Sequence, residues 1–187
     1  MDVTKKNILS TLKKMKKHER SATYFKKIFT QASKEGLNIN ERYEQGKNIL
    51  HYTIEGGYDN LINFFIKLGL NPDICDDNFV SPLHLAVNKN NKKAVKKLLK
   101  AGSDVDCAGE FEQTPLHLAT ISGDLKMIKL LLKYHADIKL VDEKNLSVID
   151  YAIDEKNLFN YNDAADLAEK IDYWLDHPKE RNERSLE

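Results

Sequence analysis

The residues in this sequence most suggestive of chemistry are His51, His84 and His117, which stand 33 positions apart. Imidazole titrates near neutrality and is the commonest side-chain ligand for zinc, so a metal cluster or an acid and base set comes first to mind. The constancy of the step argues against both. Equivalent positions on stacked helices lie about 8–10 Å apart, whereas zinc needs nitrogens about 2.0–2.1 Å from one centre. Three such histidines cannot share an ion, and no metal is expected. Cys75 and Cys107 lack metal spacing, are too few for a disulfide framework, and are read as reduced thiols. The sequence holds no nucleophile elbow, phosphate-cradling glycine loop or metalloprotease helix motif. No catalytic residue, cofactor or small-molecule substrate is therefore expected, and His177-Pro178 reads as a helix exit.

The bulk properties narrow the classes further. A hydrophobic share of 41% over 187 residues is enough for a continuous core. The 29 basic and 29 acidic residues cancel, so no whole-molecule field favours nucleic acid or an anionic membrane. The cancellation hides a polarity along the chain: about +8 before residue 35 and about −7 from Asp142 onward. No apolar run approaches the roughly 20 residues needed to span a bilayer, and the lysine-rich start lacks a secretory signal's apolar stretch. A monomer in the cytoplasm is the expected setting. Leu186-Glu187 is compatible with a cloning remnant.

The elements that must position the histidines follow from the same period. Ser81-Pro82-Leu83-His84-Leu85-Ala86 recurs as Thr114-Pro115-Leu116-His117-Leu118-Ala119. Weaker copies stand in register at Asn48-Ile49-Leu50-His51-Tyr52-Thr53 and Ser147-Val148-Ile149-Asp150-Tyr151-Ala152. Gly36, Gly69 and Gly102 repeat with the same 33-residue step. This pattern resembles the ankyrin repeat, a β-turn followed by two antiparallel helices with a signature close to Thr-Pro-Leu-His-x-Ala. The resemblance implies an all-α ankyrin-repeat solenoid covering nearly the whole chain. Three full repeats are expected at about 43–75, 76–108 and 109–141, with basic N-terminal helices and a capping unit over 1–42. A C-terminal capping unit is expected at 142–176 and a polar tail at 177–187. The resemblance also implies that each imidazole bonds the backbone of a neighbouring turn and ties repeats together.

The third unit supports the match on physical grounds. Thr114 can cap a helix whose first position suits Pro115. Gly123 can take the left-handed conformation that ends that helix, and Leu125, Ile128, Leu131 and Leu132 give the next helix an apolar stripe. Departures stand out as well. Phe79, Glu112 and Asn145 occupy the place of the turn glycine Gly46, which predicts altered turns. His135 replaces a helix-ending glycine, and Asn90 and Lys156 replace Gly57 and Gly123.

Two amphipathic ends need partners. Ile8, Leu12 and Met15 share one helical face among Lys5, Lys6, Lys13, Lys14, Lys16 and Lys17, which reads as a capping helix or as a surface for anionic membrane or phosphate. Leu167, Ile171 and Trp174 read as a helix closing the far end of the stack.

In proteins similar to this one, contacts come from the turn tips and the exposed end of each first helix, which border a concave groove. Carried over by register, the first repeat supplies Glu44, Gln45, Lys47 and Glu55. The second supplies Asp77, Asn78, Phe79, Val80, Asn88 and Lys89. The third supplies Glu110, Phe111, Gln113, Ile121 and Ser122, and the last Glu143, Lys144 and Leu146. Val80, Phe111, Ile121 and Leu146 are apolar where water is expected, and with Phe79 they would make a strip flanked by acidic and amide groups. Such a strip suits a protein or peptide with apolar anchors and some positive charge. A non-catalytic interaction module is thus expected, as adaptor, inhibitor or effector. Membrane or nucleic acid bound through the basic first helix is the alternative. The abundance of Lys, Asn and Ile hints at an AT-rich genome, which fits a bacterial or viral effector in a host cytoplasm.

Overall fold

The computed structural model describes residues 5–16 and 21–153. Nine α-helices and no strand occur among the described residues, and the chain divides after Asp104 into two compact units. The side chains of Lys5, Lys6, Met15 and Lys16 lie outside the described set. So do Lys17, Lys156, Leu167, Ile171, Trp174 and the 177–187 tail.

In the first unit, α1 (Lys5–Lys16) and α2 (Ala22–Lys34) precede two turn-helix-helix repeats. Ile8 and Leu12 on α1 are buried where that helix meets α3 (Ile49–Glu55). Ser21 caps α2 by accepting the Tyr24 N–H at 3.3 Å, and α2 buries Phe25 and Phe29. The Phe29 ring meets Phe65 edge to face at 4.9 Å, the geometry that the aromatic quadrupole favours. Phe65 belongs to α4 (Ile62–Lys67), the partner of α3. The second repeat pairs α5 (Pro82–Asn88) with α6 (Lys92–Lys100), enclosing Leu83, Ala86, Val95 and Leu98.

The second unit pairs α7 (Pro115–Ile121) with α8 (Leu125–Lys133), and α9 (Val148–Ile153) packs on α7. Leu116, Ala119, Ile128 and Leu131 are fully buried. Asp124 caps α8 by accepting the Met127 N–H at 3.0 Å. Short helices of this kind are marginal in isolation, so their stability comes from packing an apolar stripe rather than from propensity.

The first helices start alike. Ser81 and Thr114 accept the N–H of the histidine three residues on, at 3.2 and 3.4 Å. That histidine's Nδ1 in turn receives the cap residue's own N–H, closing a reciprocal box. Pro82 and Pro115 sit at the first helical position, where a missing N–H is harmless. In α9 the histidine is replaced by Asp150, whose carboxylate accepts the Ser147 N–H at 2.7 Å and hydroxyl at 2.6 Å. Asp150 is held below the usual carboxylate range by these two bonds.

The altered turns expected from the missing glycines occur at Phe79 and Asn145 but not at Glu112, and the left-handed conformation itself is kept at all three. Phe79, Glu112 and Asn145 all keep a left-handed backbone, with φ of 59°, 57° and 60° beside 71° at Gly46. His135 and Asn90 do the same at 67° and 52°. The hydrogen bonds closing each turn outweigh the strain that a Cβ introduces there.

Candidate functional site

Four turn tips project ahead of α3, α5, α7 and α9, and they are built in two ways. Those at 43–47 and 109–113 have two successive left-handed residues, Gln45-Gly46 and Phe111-Glu112. Each is closed by the bonds Tyr43 N–H to Lys47 carbonyl and Gly109 N–H to Gln113 carbonyl, at 2.8 and 2.9 Å. This is the mirror-image turn that matches hairpin twist. The tips at 76–80 and 142–146 start with a buried aspartate instead. Asp76 Oδ1 accepts the N–H of Asn78 and Val80 at 2.9 and 3.0 Å, and Asp142 Oδ1 those of Lys144 and Leu146 at 2.9 and 3.1 Å. Only one residue per aspartate tip, Phe79 or Asn145, is then left-handed.

The two kinds pair within each unit. Asp77 N–H donates to the Gln45 carbonyl, and Glu143 N–H to the Phe111 carbonyl, each at 3.0 Å. Histidine adds a second tie. His51 Nε2 donates to the Val80 carbonyl at 2.8 Å, and His117 Nε2 to that of Leu146 at 3.2 Å. Burial holds both imidazoles below their usual 6.5, so they are neutral donors at pH 7. Asp142 also accepts the Tyr151 hydroxyl at 2.5 Å. Burial pushes its carboxyl upward, but this bond and the turn N–H groups prevail and hold it below the usual range.

The sequence-predicted residues separate by environment. Phe79 is 68% exposed and Phe111 53%. Val80, Ile121 and Leu146 are half-buried rather than open to water, because the backbones of Val80 and Leu146 carry the aspartate and histidine bonds. Of the apolar residues expected to form a strip, the exposed ones are therefore the two phenylalanines, one in each unit. Lys47 and Glu55 pair with each other at 2.7 Å with little exposure. Asp77 pairs with Arg42 at 2.8 Å, and Glu44 with Lys13 at 2.6 Å. Gln113 Nε2 reaches the Tyr151 hydroxyl at 3.4 Å, and the Ser122 hydroxyl turns back onto the Ala119 carbonyl at 3.0 Å. Asn78, Asn88, Lys89, Glu110, Glu143 and Lys144 are exposed. Sequence reasoning missed Leu140 and Val141, which are 36% and 43% exposed. The signal was an apolar pair where the preceding repeat has Cys107-Ala108.

Among the described residues no group of three or more His, Cys, Asp or Glu is placed to hold a metal, and no helix is long and apolar enough to cross a membrane. Cys75 is a half-buried thiol donating to the Asp73 carbonyl at 3.6 Å. Burial, with Asp76 and Asp73 beside it, pushes that thiol's pKa up, away from nucleophilic reactivity.

Comparison with known families settles what these repeats are. A family model for ankyrin repeats in three copies matches residues 20–108 and 83–173. The chain belongs to the ankyrin-repeat family. An ankyrin repeat protein of Acanthamoeba polyphaga mimivirus is 36% identical over 56 residues, which is 30% of this chain and 8% of that protein. The chain thus spans a small part of the length of this curated relative. Ankyrin repeats are generally protein-interaction modules and typically non-catalytic, and the all-α repeat fold with its capped first helices and projecting fingers is the family's.

Proposed function

We propose that this ankyrin chain is a non-catalytic module that holds a partner protein or peptide against its finger tips. The observation carrying this reading is that Phe79 and Phe111 are exposed aromatic rings on left-handed backbone. Glycine or asparagine would relieve the strain and leave the finger's bonds intact. An aromatic ring there opposes both folding and hydration, and aromatic anchors are where interface energy concentrates. Exposed Glu110 and Glu112 flank Phe111 in the chain, and exposed Glu143 bonds its carbonyl, which favours a partner with apolar anchors and flanking positive charge.

The repeat bounds 43–75, 76–108 and 109–141, capped by 1–42 and 142–176, complete the proposal, as does a monomeric state. A viral source for the similar protein supports a setting in a host cytoplasm. The alternative, a membrane or nucleic acid held by the first helix, is disfavoured. Ile8 and Leu12 spend the apolar face of α1 on internal packing, and Lys13 is engaged by Glu44.

Affinity capture with the wild type, with Phe79→Ala plus Phe111→Ala, and with Lys13→Gln plus Lys14→Gln tests the choice. A partner kept at low and high salt by the wild type and the lysine variant, but lost by the phenylalanine variant, is the expected result. Binding that depends on the lysines and vanishes with salt would overturn it.

A further inference from the structure

Helix α6 carries a concentration of charge that the fingers do not use. Lys92, Lys93, Lys96, Lys97 and Lys100 fall within its nine residues, and it contains no acid. Like charges four residues apart disfavour a helix, as at Lys92 and Lys96, Lys93 and Lys97, and Lys96 and Lys100. Lys92 and Lys93 also stand in the first turn, against the helix dipole. Lys97 and Lys100 in the last turn suit the dipole, so the opposition lies in the first turn and in the like-charge pairs.

An open cleft of about 610 Å³ lies along this helix. Lys93, Lys96, Lys97 and Lys100 line one side, and Asp59 and Asn60 line the other. The opposite wall is fixed. Asn91 caps α6 through its Oδ1 and donates its Nδ2 to the Asp59 carboxylate at 2.7 Å. Lys97 Nζ donates to the Asp59 carbonyl, also at 2.7 Å. These bonds engage the cleft's one carboxylate and one of its four ammonium groups. Lys93, Lys96 and Lys100 have no acidic partner among the described residues.

We propose that this cleft binds a compact, multiply phosphorylated anion. Ammonium groups are hydrated point charges that suit phosphate oxygens approaching from several directions. No arginine fork and no aromatic ring lines the cleft, so it offers neither bidentate carboxylate recognition nor a base-stacking platform. Three unneutralised charges beside a rigid wall, with Asn60 as a further donor, match clustered phosphates rather than a nucleoside or a single carboxylate. The phosphates belong to a free polyphosphate or to a polyphosphorylated lipid headgroup.

Titration calorimetry of the full chain with inorganic tripolyphosphate tests this site. One saturable site that weakens with salt is expected. Lys93→Gln, Lys96→Gln and Lys100→Gln together should weaken it about 10-fold or more, and the matching arginine triple should retain it. Lys126, Lys129 and Lys133 are exposed on α8, so their glutamine triple removes the same net charge elsewhere and should change affinity less than about 2-fold. Phosphoinositide vesicles that displace tripolyphosphate identify a headgroup source, and failure to displace it identifies a free anion. Equal losses in the two glutamine triples, or no saturable binding, overturn the proposal. Because α6 lies apart from the fingers in sequence and chemistry, Phe79→Ala should leave this titration unchanged, which separates its failure from that of the finger reading.

Discussion

The Nε2 of His51 sits 2.8 Å from the carbonyl oxygen of Val80, so the first repeat's helix start is bonded to the next repeat's finger. One imidazole therefore serves the helix cap through Nδ1 and the neighbouring turn through Nε2. The same pairing joins His117 to Leu146. Replacing His51 with Ala leaves the Val80 carbonyl and the Asn48 N–H without this partner in a buried site. It should cost about 1–3 kcal/mol, read from the midpoint of urea unfolding.

These histidines also set a pH dependence. Burial lowers both from 6.5, so the folded state stays neutral while the unfolded chain takes up protons. Stability should hold above pH about 6.5 and fall as the pH drops below it, by up to about 1.4 kcal/mol per unit for each imidazole. Unfolding midpoints between pH 7.5 and 5 check this, and a His51→Gln, His117→Gln pair should flatten the slope. A slope that persists in the pair would contradict the assignment.

Asp142 titrates in a separate window. Its folded pKa lies below the usual 3.8, so its contribution is present above about pH 4 and is lost as pH falls through the folded value. Asp142→Ala removes the acceptor for the Lys144 and Leu146 N–H groups and the Tyr151 hydroxyl. A loss of about 2–3 kcal/mol at pH 7 is expected, with no such loss for the exposed neighbour Glu143→Ala.

The core follows packing alone. Leu131 is fully buried in α8, so Leu131→Ala should cost about 2–5 kcal/mol by thermal or urea unfolding.

Phe79→Gly should separate stability from function. The ring is 68% exposed and its backbone sits at φ 59°. Removing the Cβ should raise stability by about 1 kcal/mol while partner binding weakens. A destabilised variant would mean that the ring packs in the fold.

The helices and caps were legible because Pro82, His84, Pro115 and His117 mark each first helix and the apolar stripes follow. Finger geometry was less so. Glycine preference at one turn position is a local rule, and the bonds from Asp76 and Asp142 that override it at Phe79 and Asn145 are made inside the folded finger. Apolar identity likewise could not tell the exposed Phe111 from the half-buried Leu146, because backbone bonding to His117 and Asp142 draws the latter in. Lys47 and Glu55 looked available for a partner, yet the turn brings them together across eight residues. The α6 lysines come to face the Asp59 turn only through the fold, a juxtaposition that their spacing in the sequence does not show.

The central claim is that the finger tips are the binding surface. A photo-reactive phenylalanine analogue placed at position 79 or 111, and at position 96 on α6 for comparison, tests it directly in cell lysate. The account predicts a discrete protein adduct of the same mass from 79 and 111 and none of that mass from 96. Adducts absent at both finger positions, or equally abundant at 96, would contradict it.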